Sequence, residues 1–215
     1  MIGVIVFPGT NCERDTVRAL RMIGAKAELV WHGEEALDDL DGVVLPGGFA
    51  HGDYLRTGAI AAHSPVMKGV RRMADAGRPV LGICNGFQVL CEAGLLPGAF
   101  VANRNLRFIC RFVEVEISDS RSALTEGLHP GTRIRIPLNS FEGNHRDPTG
   151  TARVVARYVD DPNGSQDGVA ALANTEGNVV GIMPHPERAM EEVMGSGDGS
   201  ELLESFVRAT EAARV

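Results

Sequence analysis

The sequence predicts an α/β fold in which a doubly wound, mostly parallel sheet carries helices on both faces and antiparallel additions. Short apolar runs in the first half of the chain alternate with longer, mixed segments of helical character. Repeated strand–helix units of this kind build parallel sheets, whose strands are apolar because both faces are buried. In the second half, strand-like runs follow one another between Asp, Asn and Gly turns, which is typical of antiparallel strands.

The first half is predicted to contain alternating strands and helices. The strands are the short apolar runs 2–7, 27–31, 42–45 and 79–83. The helices are 13–23 and 60–76, which show helical periodicity, and 85–93, which follows the fourth strand. This order of elements predicts a parallel, doubly wound sheet, and its crossovers are expected to be right-handed.

The second half is predicted to contain mainly strands. Residues 108–118 are expected to pair with 132–136, and the other strand-like runs are 151–158, 169–174 and 178–183. The last of these runs is expected to return to the main sheet, and residues 200–214 are expected to form a closing helix. Because no low-complexity linker or internal repeat interrupts the chain, we expect a single domain over residues 1–215.

Composition and charge exclude several classes of function. With 21 basic and 28 acidic side chains the formal net charge is −7, whereas nonspecific nucleic-acid binding needs a basic surface. No apolar stretch is long enough to span a bilayer, and the N-terminus lacks the basic flank and cleavage site of a signal peptide. We therefore expect a cytoplasmic protein that binds neither nucleic acid nor membranes.

The four cysteines do not indicate a disulfide framework or a metal site. The chain is long for a disulfide scaffold, and it contains no CxxC pair and no histidine at zinc-finger spacing from a cysteine. Cys91 falls in a predicted helix and Cys110 in a predicted strand, so core packing is expected for both. Cys12 has no setting comparable to that of Cys84.

Cys84 lies in a pattern that favours a nucleophile. It stands between a predicted strand and a predicted helix, with Gly82 and Gly86 two residues to either side. Small residues there let the strand and helix approach, so that a sharp, strained turn projects the side chain beyond the sheet. The helix N-terminus favours a thiolate, and the backbone N–H of Asn85 is directed at an oxyanion above the sulfur. From this motif alone, the alternative is that Cys84 is a small, inert residue of the core and not a nucleophile.

A cysteine nucleophile needs a base, and His185 is the histidine in a suitable context. It follows the strand 178–183 in the segment Met-Pro-His-Pro-Glu-Arg, whose prolines stiffen the loop. In a parallel sheet this loop lies at the same carboxyl edge as the Cys84 turn. Glu187 is close enough to accept a hydrogen bond from the imidazole and to fix its tautomer. The alternative for Glu187 is a surface charge paired with Arg188 or solvent.

The turn Pro-Gly-Gly at 46–48 ends the third predicted strand. Paired glycines allow a backbone amide to turn toward a neighbouring loop, where it can supply a second oxyanion donor. A plain turn is the alternative. The polar, Gly-rich segment 50–56 that follows is expected to be a binding or docking loop.

Together, the Cys84 turn, the His-Pro-Glu segment and the Pro-Gly-Gly turn resemble a class I, triad-type glutamine amidotransferase. The segments 7–12, 46–59, 82–97 and 183–188 are similar to the glutaminase subunits of phosphoribosylformylglycinamidine synthases, and the resemblance spans essentially the whole chain. The motifs PGGFxxGDYLR and GICNGFQ are together quite specific to that family. The resemblance implies a class I glutamine amidotransferase-like, flavodoxin-like fold.

The resemblance also implies how the residues act. Cys84 attacks the carboxamide of glutamine, which gives a glutamyl thioester and ammonia. His185 protonates the leaving ammonia and then activates the hydrolytic water, while Glu187 orients His185. The backbone amides of Gly48 and Asn85 hold the oxyanion.

The resemblance further implies the ligands and partners. Gln88 helps to bind glutamine, and the segment from Asn105 to Phe108 contacts its amino-acid end. Ammonia passes to a separate synthetase subunit, which uses ATP and Mg to convert formylglycinamide ribonucleotide in de novo purine biosynthesis, and a small bridging subunit often joins the two. This chain has no Gly-x-x-x-x-Gly-Lys-Ser/Thr loop, so no cofactor is expected in it.

One segment departs from the family pattern. Where the family has a His-Gly pair, this chain has Ser140 and Phe141, followed by an unchanged Glu142. His145 is expected to be a solvated loop residue, or else a partial replacement for the missing histidine. The change is expected to affect partner docking or activation more than the triad.

Three alternatives remain open. The first is another enzyme with the same triad, either the glutaminase subunit of a different synthetase or a γ-glutamyl hydrolase. The second is a PfpI-like protein, which has the cysteine turn but usually lacks the His-Pro-Glu segment. The third is a catalytically silent scaffold subunit in which Cys84 is structural.

Overall fold

The computed structural model of the chain describes residues 1–213. In order, these residues form β1 (Ile2–Val6), α1 (Glu13–Met22), β2 (Ala27–Trp31), β3 (Gly42–Leu45), α2 (Val66–Asp75), β4 (Val80–Ile83), α3 (Asn85–Glu92), β5 (Ala99–Val101), β6 (Ile109–Ile117), β7 (Arg133–Ser140), β8 (Asn144–Arg146), β9 (Arg153–Tyr158), β10 (Val169–Ala173), β11 (Val179–Ile182) and α4 (Gly199–Ala212). Within that described part, no helix has the length and apolar character needed to cross a membrane.

The main sheet has nine strands and two distinct parts. Strands β2, β1, β3, β4 and β11 lie side by side in that order and run parallel. The sheet continues through β10, β9, β6 and β7, each antiparallel to its neighbour. The predicted α/β sheet with antiparallel additions is confirmed, and so is the return of the segment 178–183 to the main sheet, where β11 pairs with β4.

Helices cover both faces of the parallel part, which explains why its strands are apolar. Every residue of β3, β4 and β11 is buried. The register places Leu45, Gly82 and Gly181 side by side on one face, where α3 packs so closely that a Cβ on either glycine would collide with it. Gly42 is three residues before Leu45 and therefore faces the other side, where a Cβ would lie 2.6 Å from Thr210 of α4.

The antiparallel extension shows the alternation expected of a sheet with one solvent-facing side. In β7, Ile134, Ile136 and Leu138 are buried, and the residues between them are exposed or half-buried. On the paired strand β6, Val113 and Val115 are buried opposite Ile136 and Ile134. The predicted pairing of 108–118 with 132–136 is therefore confirmed.

The helix predicted over 60–76 is interrupted, so that prediction was wrong in its first third. Residues Ala61–His63 form a 3-10 turn, and α2 begins only at Val66. Pro65 causes the break, because the residue before a proline is disfavoured in helical conformation and Ser64 is accordingly extended, with φ −63° and ψ 149°.

Other differences lie in the second half of the chain. Strand β7 runs on to Ser140 instead of ending at 136, because it is an edge strand and such a strand tolerates Pro137. Strands β5 and β8 form a separate two-stranded sheet that the sequence did not predict, since each has only three residues. The closing helix is present as α4, and its predicted end at Arg214 lies outside the described residues.

We predict that Gly86→Ala strongly destabilises the fold. A Cβ at Gly86 would overlap the backbone carbonyl of Leu45, which belongs to a buried strand and cannot move aside. We expect the free energy of unfolding to fall by about 3 kcal/mol or more, measured by urea denaturation. Gly33→Ala is the matched control, because its Cβ meets nothing nearer than a Trp31 side-chain atom at 3.4 Å. Equal stability of the two variants would contradict the prediction.

Candidate active site

Cys84 lies between β4 and α3 in a conformation that residues other than glycine rarely adopt. Its φ is 51° and its ψ is −106°. Holding a residue in such a region costs about 1–3 kcal/mol, so the surrounding contacts must enforce it. The strained turn expected from the sequence is present, and it lies at the carboxyl edge of the parallel strands.

Glycines allow the segments of the site to come together. A Cβ at Gly82 would lie 2.7 Å from the backbone of Gly86, so a side chain there would push α3 away from β4. A Cβ at Gly47 would lie 2.7 Å from Cε1 of His185 and 3.4 Å from Cβ of Cys84. The turn after β3 therefore packs directly between the cysteine and the histidine.

His185 and Glu187 form a buried pair. Nδ1 of His185 donates a hydrogen bond to Oε1 of Glu187 at 2.7 Å, and both side chains are buried. The backbone N–H of His185 donates to the carbonyl of Pro137 at 2.7 Å, which ties the loop after β11 to β7. Burial alone lowers the pKa of His185, but the charges of Glu187 and Cys84 outweigh burial and raise this pKa well above its usual value. Glu187 is therefore not a surface charge.

The imidazole faces two sulfur atoms. Cys84 and Cys12 both lie close enough to raise the pKa of His185, yet Nε2 makes no well-aligned hydrogen bond within the described residues. Sγ of Cys84 is instead 3.5 Å from the carbonyl oxygen of Asn139. Catalytic hydrogen bonds are often loose before substrate binds. The groups needed for proton transfer between Sγ and Nε2 are thus together.

Cys12 is a part of this site that the sequence did not predict. Its buried Sγ accepts a hydrogen bond from Arg188 at 3.1 Å, and Arg188 also donates to Asp15 at 3.2 Å. Donor atoms of Cys12, His185 and Glu187 lie within 4.8 Å of one another, and zinc accepts ligands of these types. A metal-free site therefore stays a prediction. The signal in the sequence was the position of Cys12 just after β1, at the same sheet edge as Cys84.

The turn after β3 holds Gly48 at φ 146°, a value that favours glycine. Hydrogen bonds on both sides of Gly48 join this turn to the loop after β1, from Asn11 N to Gly47 O at 3.3 Å and from Phe49 N to Gly9 O at 2.9 Å. Neither bond uses the N–H of Gly48, which in this pattern points away from the loop after β1. Gly48 lines the same cavity as Cys84.

Asn85 and Gln88 connect the first turn of α3 to the surrounding loops. Oδ1 of Asn85 accepts from the backbone N–H of Ala50 at 3.1 Å, and its Nδ2 donates to Oε1 of Gln88 at 3.0 Å. Nε2 of Gln88 donates to the carbonyl of Glu142 at 2.7 Å. Because Asn85 is the first residue of α3, its backbone N–H has no acceptor within the helix and is directed out of the N-terminus.

The cavity above the cysteine turn has a volume of about 560 Å³, enough for a small ligand. Of the predicted site residues, those on its wall are Gly48, Cys84, Gln88, Phe108 and His185. Glu187 lies behind His185. Residues on the wall that the sequence did not assign to the site include Asn11, Cys12, Asp53, Thr57, Glu142 and Arg188. These belong to loops that are distant in sequence and meet only in the fold.

Asn105 is not on the cavity wall. Its side chain is exposed, and Oδ1 accepts from the backbone N–H of Arg107 at 3.1 Å. Phe108, three residues later, is on the wall. Ser140 and Phe141 also line the cavity, so the departure from the family pattern falls in the site itself.

Two predictions about side-chain environment were wrong. His145 is 1% exposed rather than solvated, because its ring stacks on Phe87 at 6.0 Å and its Nε2 lies 3.0 Å from the carbonyl of Pro97. Cys110 is exposed rather than packed in the core, because it lies on the solvent-facing side of β6.

Comparison with known proteins agrees with this geometry. A family model described as the CobB/CobQ-like glutamine amidotransferase domain matches residues 1–205. The chain belongs to this family of glutamine amidotransferases, as its motifs and its site predicted. Its relatives within the family include the phosphoribosylformylglycinamidine synthase subunits PurQ, which confirms the closer resemblance found in the sequence.

The similarity extends over almost the full length of these relatives. The chain is 48% identical over 213 residues to PurQ of Rubrobacter xylanophilus, with 96% of this chain and 97% of the relative covered. It is 52% identical over 205 residues to PurQ of Nocardia farcinica, with coverage of 92% and 91%. The structure of PurLQS from Thermotoga maritima includes a chain that is 40% identical, with a TM-score of 0.93 and coverage of 96% and 97%.

We predict that Glu187→Gln lowers the pKa of His185, because an amide cannot supply the charge that offsets burial. The measurement is an NMR titration of histidine-labelled protein, in which the midpoint of His185 moves to lower pH. His145 is the internal control: burial lowers its pKa, and Glu187 plays no part in that shift. An unchanged His185 midpoint beside an unchanged His145 midpoint would contradict the prediction.

Proposed function

We propose that this chain is the glutaminase subunit of a phosphoribosylformylglycinamidine synthase, an ATP-dependent C–N ligase complex of de novo purine biosynthesis. It hydrolyses glutamine to glutamate and ammonia. The ammonia passes to a synthetase subunit that converts formylglycinamide ribonucleotide to formylglycinamidine ribonucleotide. The observation that carries the proposal is the buried His185–Glu187 pair beside the strained Cys84 turn. The PurQ relatives, about half identical over nearly the whole chain, support this choice of synthetase.

The first half-reaction releases ammonia. The thiolate sulfur of Cys84 bonds to the carboxamide carbon of glutamine, and the π electrons of the C=O bond move to the oxygen. His185 gives its Nε2 proton to the substrate nitrogen, the C–N bond breaks, and ammonia leaves a glutamyl thioester behind. Glu187 orients the imidazole and stabilises its charged form throughout.

The second half-reaction restores the enzyme. Neutral His185 accepts a proton from water while the water oxygen bonds to the thioester carbon. The C–S bond then breaks, which releases glutamate and regenerates the thiolate of Cys84. In both half-reactions the backbone N–H groups of Gly48 and Asn85 stabilise the negative oxygen. One such donor contributes about 3–4 kcal/mol to lowering the barrier in other enzymes.

Gln88, Asn105 and Phe108 are the proposed substrate-binding residues from the sequence. The assignment of Gln88 is supported by its position, because it lines the cavity one turn of α3 beyond Cys84. Phe108 also lines the cavity, and Asn105 belongs to the same loop. This loop therefore provides the wall that faces the amino-acid end of glutamine.

Exposed apolar side chains support a docking surface at the cavity mouth. Phe49, Phe108 and Phe141 line the cavity and are 52%, 52% and 43% exposed. Tyr54 and Leu55, in the loop after β3, are 73% and 88% exposed. Large apolar groups gathered in this way mark interaction sites. We place the synthetase subunit, and with it a small bridging subunit, on this face.

The remaining assignments follow from the same proposal. The chain acts as one glutamine amidotransferase domain over residues 1–215 and carries no cofactor, while ATP and Mg are used by the synthetase subunit. The formal net charge of −7 disfavours nucleic acid as a partner, and no membrane partner is proposed. The four cysteines are free thiols, which supports a reducing, cytoplasmic location.

We predict that Cys84→Ala abolishes ammonia release while the fold is retained. Without the sulfur no thioester forms, so glutamine turnover falls by about a thousandfold or more. The measurement is ammonia release in the presence of the synthetase subunit, with circular dichroism to check folding. Cys110→Ala is the matched control, because this exposed thiol lies outside the cavity. Retained turnover in Cys84→Ala would overturn the assignment of the nucleophile.

We also predict that the isolated chain is a weak glutaminase and that its partner activates it. Docking favours a competent arrangement of the cavity loops, so ammonia release should rise severalfold when the synthetase subunit, ATP and formylglycinamide ribonucleotide are added together. Omitting each component in turn identifies which one activates. Equal turnover by the chain alone and by the complete mixture would contradict this prediction.

A further inference from the structure

The cavity contains two carboxylates that the mechanism above does not use. Asp53 comes from the loop after β3, and Glu142 comes from the loop after β7. Both are partly buried and both line the cavity. Taking a carboxylate out of water is unfavourable unless hydrogen bonds or a cation compensate. Their surroundings therefore indicate what the cavity is built to receive.

The basic side chains of the cavity are engaged with other acids. Arg188 donates to Asp15 at 3.2 Å, and His185 is bonded to Glu187 at 2.7 Å. Among the described residues on the cavity wall, these two supply all the basic groups. Asp53 and Glu142 are therefore left without a protein cation on that wall.

Neutral donors hold the two carboxylates in place. Oγ1 of Thr57 donates to Oε2 of Glu142 at 2.8 Å. Nδ2 of Asn85 lies 3.4 Å from Oδ1 of Asp53 and also donates to Gln88. Burial and the nearby charge of Glu142 raise the pKa of Asp53 to about 6, whereas the hydrogen bond from Asn85 lowers it. The two acids thus repel each other in the same cavity, and a cation bound between them would offset that repulsion.

Gln88, which contacts the segment that carries Glu142, is separated from Cys84 by about the length of glutamine. Gln88 lies one helical turn from Cys84, and its backbone N–H donates to the carbonyl of Cys84 at 3.1 Å. Its side chain reaches the backbone of Glu142 at 2.7 Å. One turn of helix rises about 5 Å, and four bonds separate the carboxamide carbon of glutamine from its α-nitrogen, also about 5 Å when extended.

A second feature fixes the direction in which the substrate lies. His185 lines the cavity although its side chain is only 2% exposed, and its Nε2 has no well-aligned partner in the described residues. That nitrogen and Cys84 define the end of the cavity where the carboxamide reacts. The amino-acid end of glutamine is then directed toward Gln88 and the two acids beyond it.

We infer that Asp53 and Glu142 form the subsite for the α-ammonium group of glutamine and so select an α-amino acid amide over a simple amide. The inference rests on the proposed glutaminase function and deepens it. A single ammonium group placed between the two carboxylates reduces their repulsion and replaces part of the water that they lost. The two acids are specificity determinants, whereas Cys84 and His185 carry the chemistry.

The test compares glutamine with glutaramate, which has the same carboxamide and no α-ammonium group. For the wild-type complex with the synthetase subunit, we expect KM for glutaramate to exceed KM for glutamine by about tenfold or more, the scale of one hydrogen bond to a charged group. In Glu142→Gln and Asp53→Asn we expect KM for glutamine to rise about tenfold, with little change for glutaramate. An equal rise for both substrates, or no rise for glutamine, overturns the inference.

Matched controls and a binding measurement keep this test separate from catalysis. Glu28→Gln and Asp39→Asn remove exposed acids that do not line the cavity, and both should leave KM unchanged. Calorimetry of glutamine binding to the full-length Cys84→Ala chain needs no turnover, and Glu142→Gln in that background should weaken binding about tenfold. If the wild-type complex releases no ammonia but Glu142→Gln still weakens binding in the Cys84→Ala chain, the proposed function is refuted and the subsite is retained. Unchanged binding would refute the subsite alone.

Discussion

The site depends on how closely α3 approaches the ends of β3 and β4. That approach leaves no room for a side chain at Gly82 or Gly86, and it forces Cys84 to φ 51°. The strain costs about 1–3 kcal/mol. Phe87 and Leu90 of the same helix are fully buried, and burying each side chain contributes about 1.5–3 kcal/mol, so the packing of α3 outweighs the strain at its first turn. The strained nucleophile is therefore a consequence of the core rather than of the loop around it.

The antiparallel extension completes the site that the parallel strands begin. The parallel part supplies Cys84, His185 and the turn at Gly48 from adjacent strands β4, β11 and β3. The edge strand β7 then supplies the carbonyl of Pro137 that holds the backbone of His185, and the residues after it form the opposite cavity wall. Without the extension, the imidazole would lose both its backbone anchor and the shielding that makes its pairing with Glu187 effective.

Sequence predicted the parts of the molecule that depend on local pattern. Apolar runs gave nearly all of the main strands, and the Cys84 turn and the His185–Glu187 pair were predicted because each is contained in a few neighbouring residues. Cys12 lies beside His185, and Asp53 lies near Glu142. Each pair joins loops from different strands, so no local sequence pattern encodes it. The break before α2 was different, because Pro65 is a local signal for it, whereas the helical periodicity of residues 60–76 indicated an unbroken helix.

The distribution of backbone strain separates the catalytic groups from the binding groups. Cys84 is strained between a fully buried strand and a helix that is buried except at its last residue, and His185 is held by a buried carboxylate and a strand carbonyl. Asp53 and Leu55, at φ 54° and 71°, are instead strained in a loop whose tip is solvent-exposed and largely outside regular structure. Such loops open and rearrange at far lower free energy than a core strand does. In the docking that we propose, a partner covers the exposed apolar rim. It can reshape the half of the cavity assigned to glutamine binding without moving the half assigned to breaking the amide bond. The proposed activation therefore acts through Asp53 and leaves the triad unchanged.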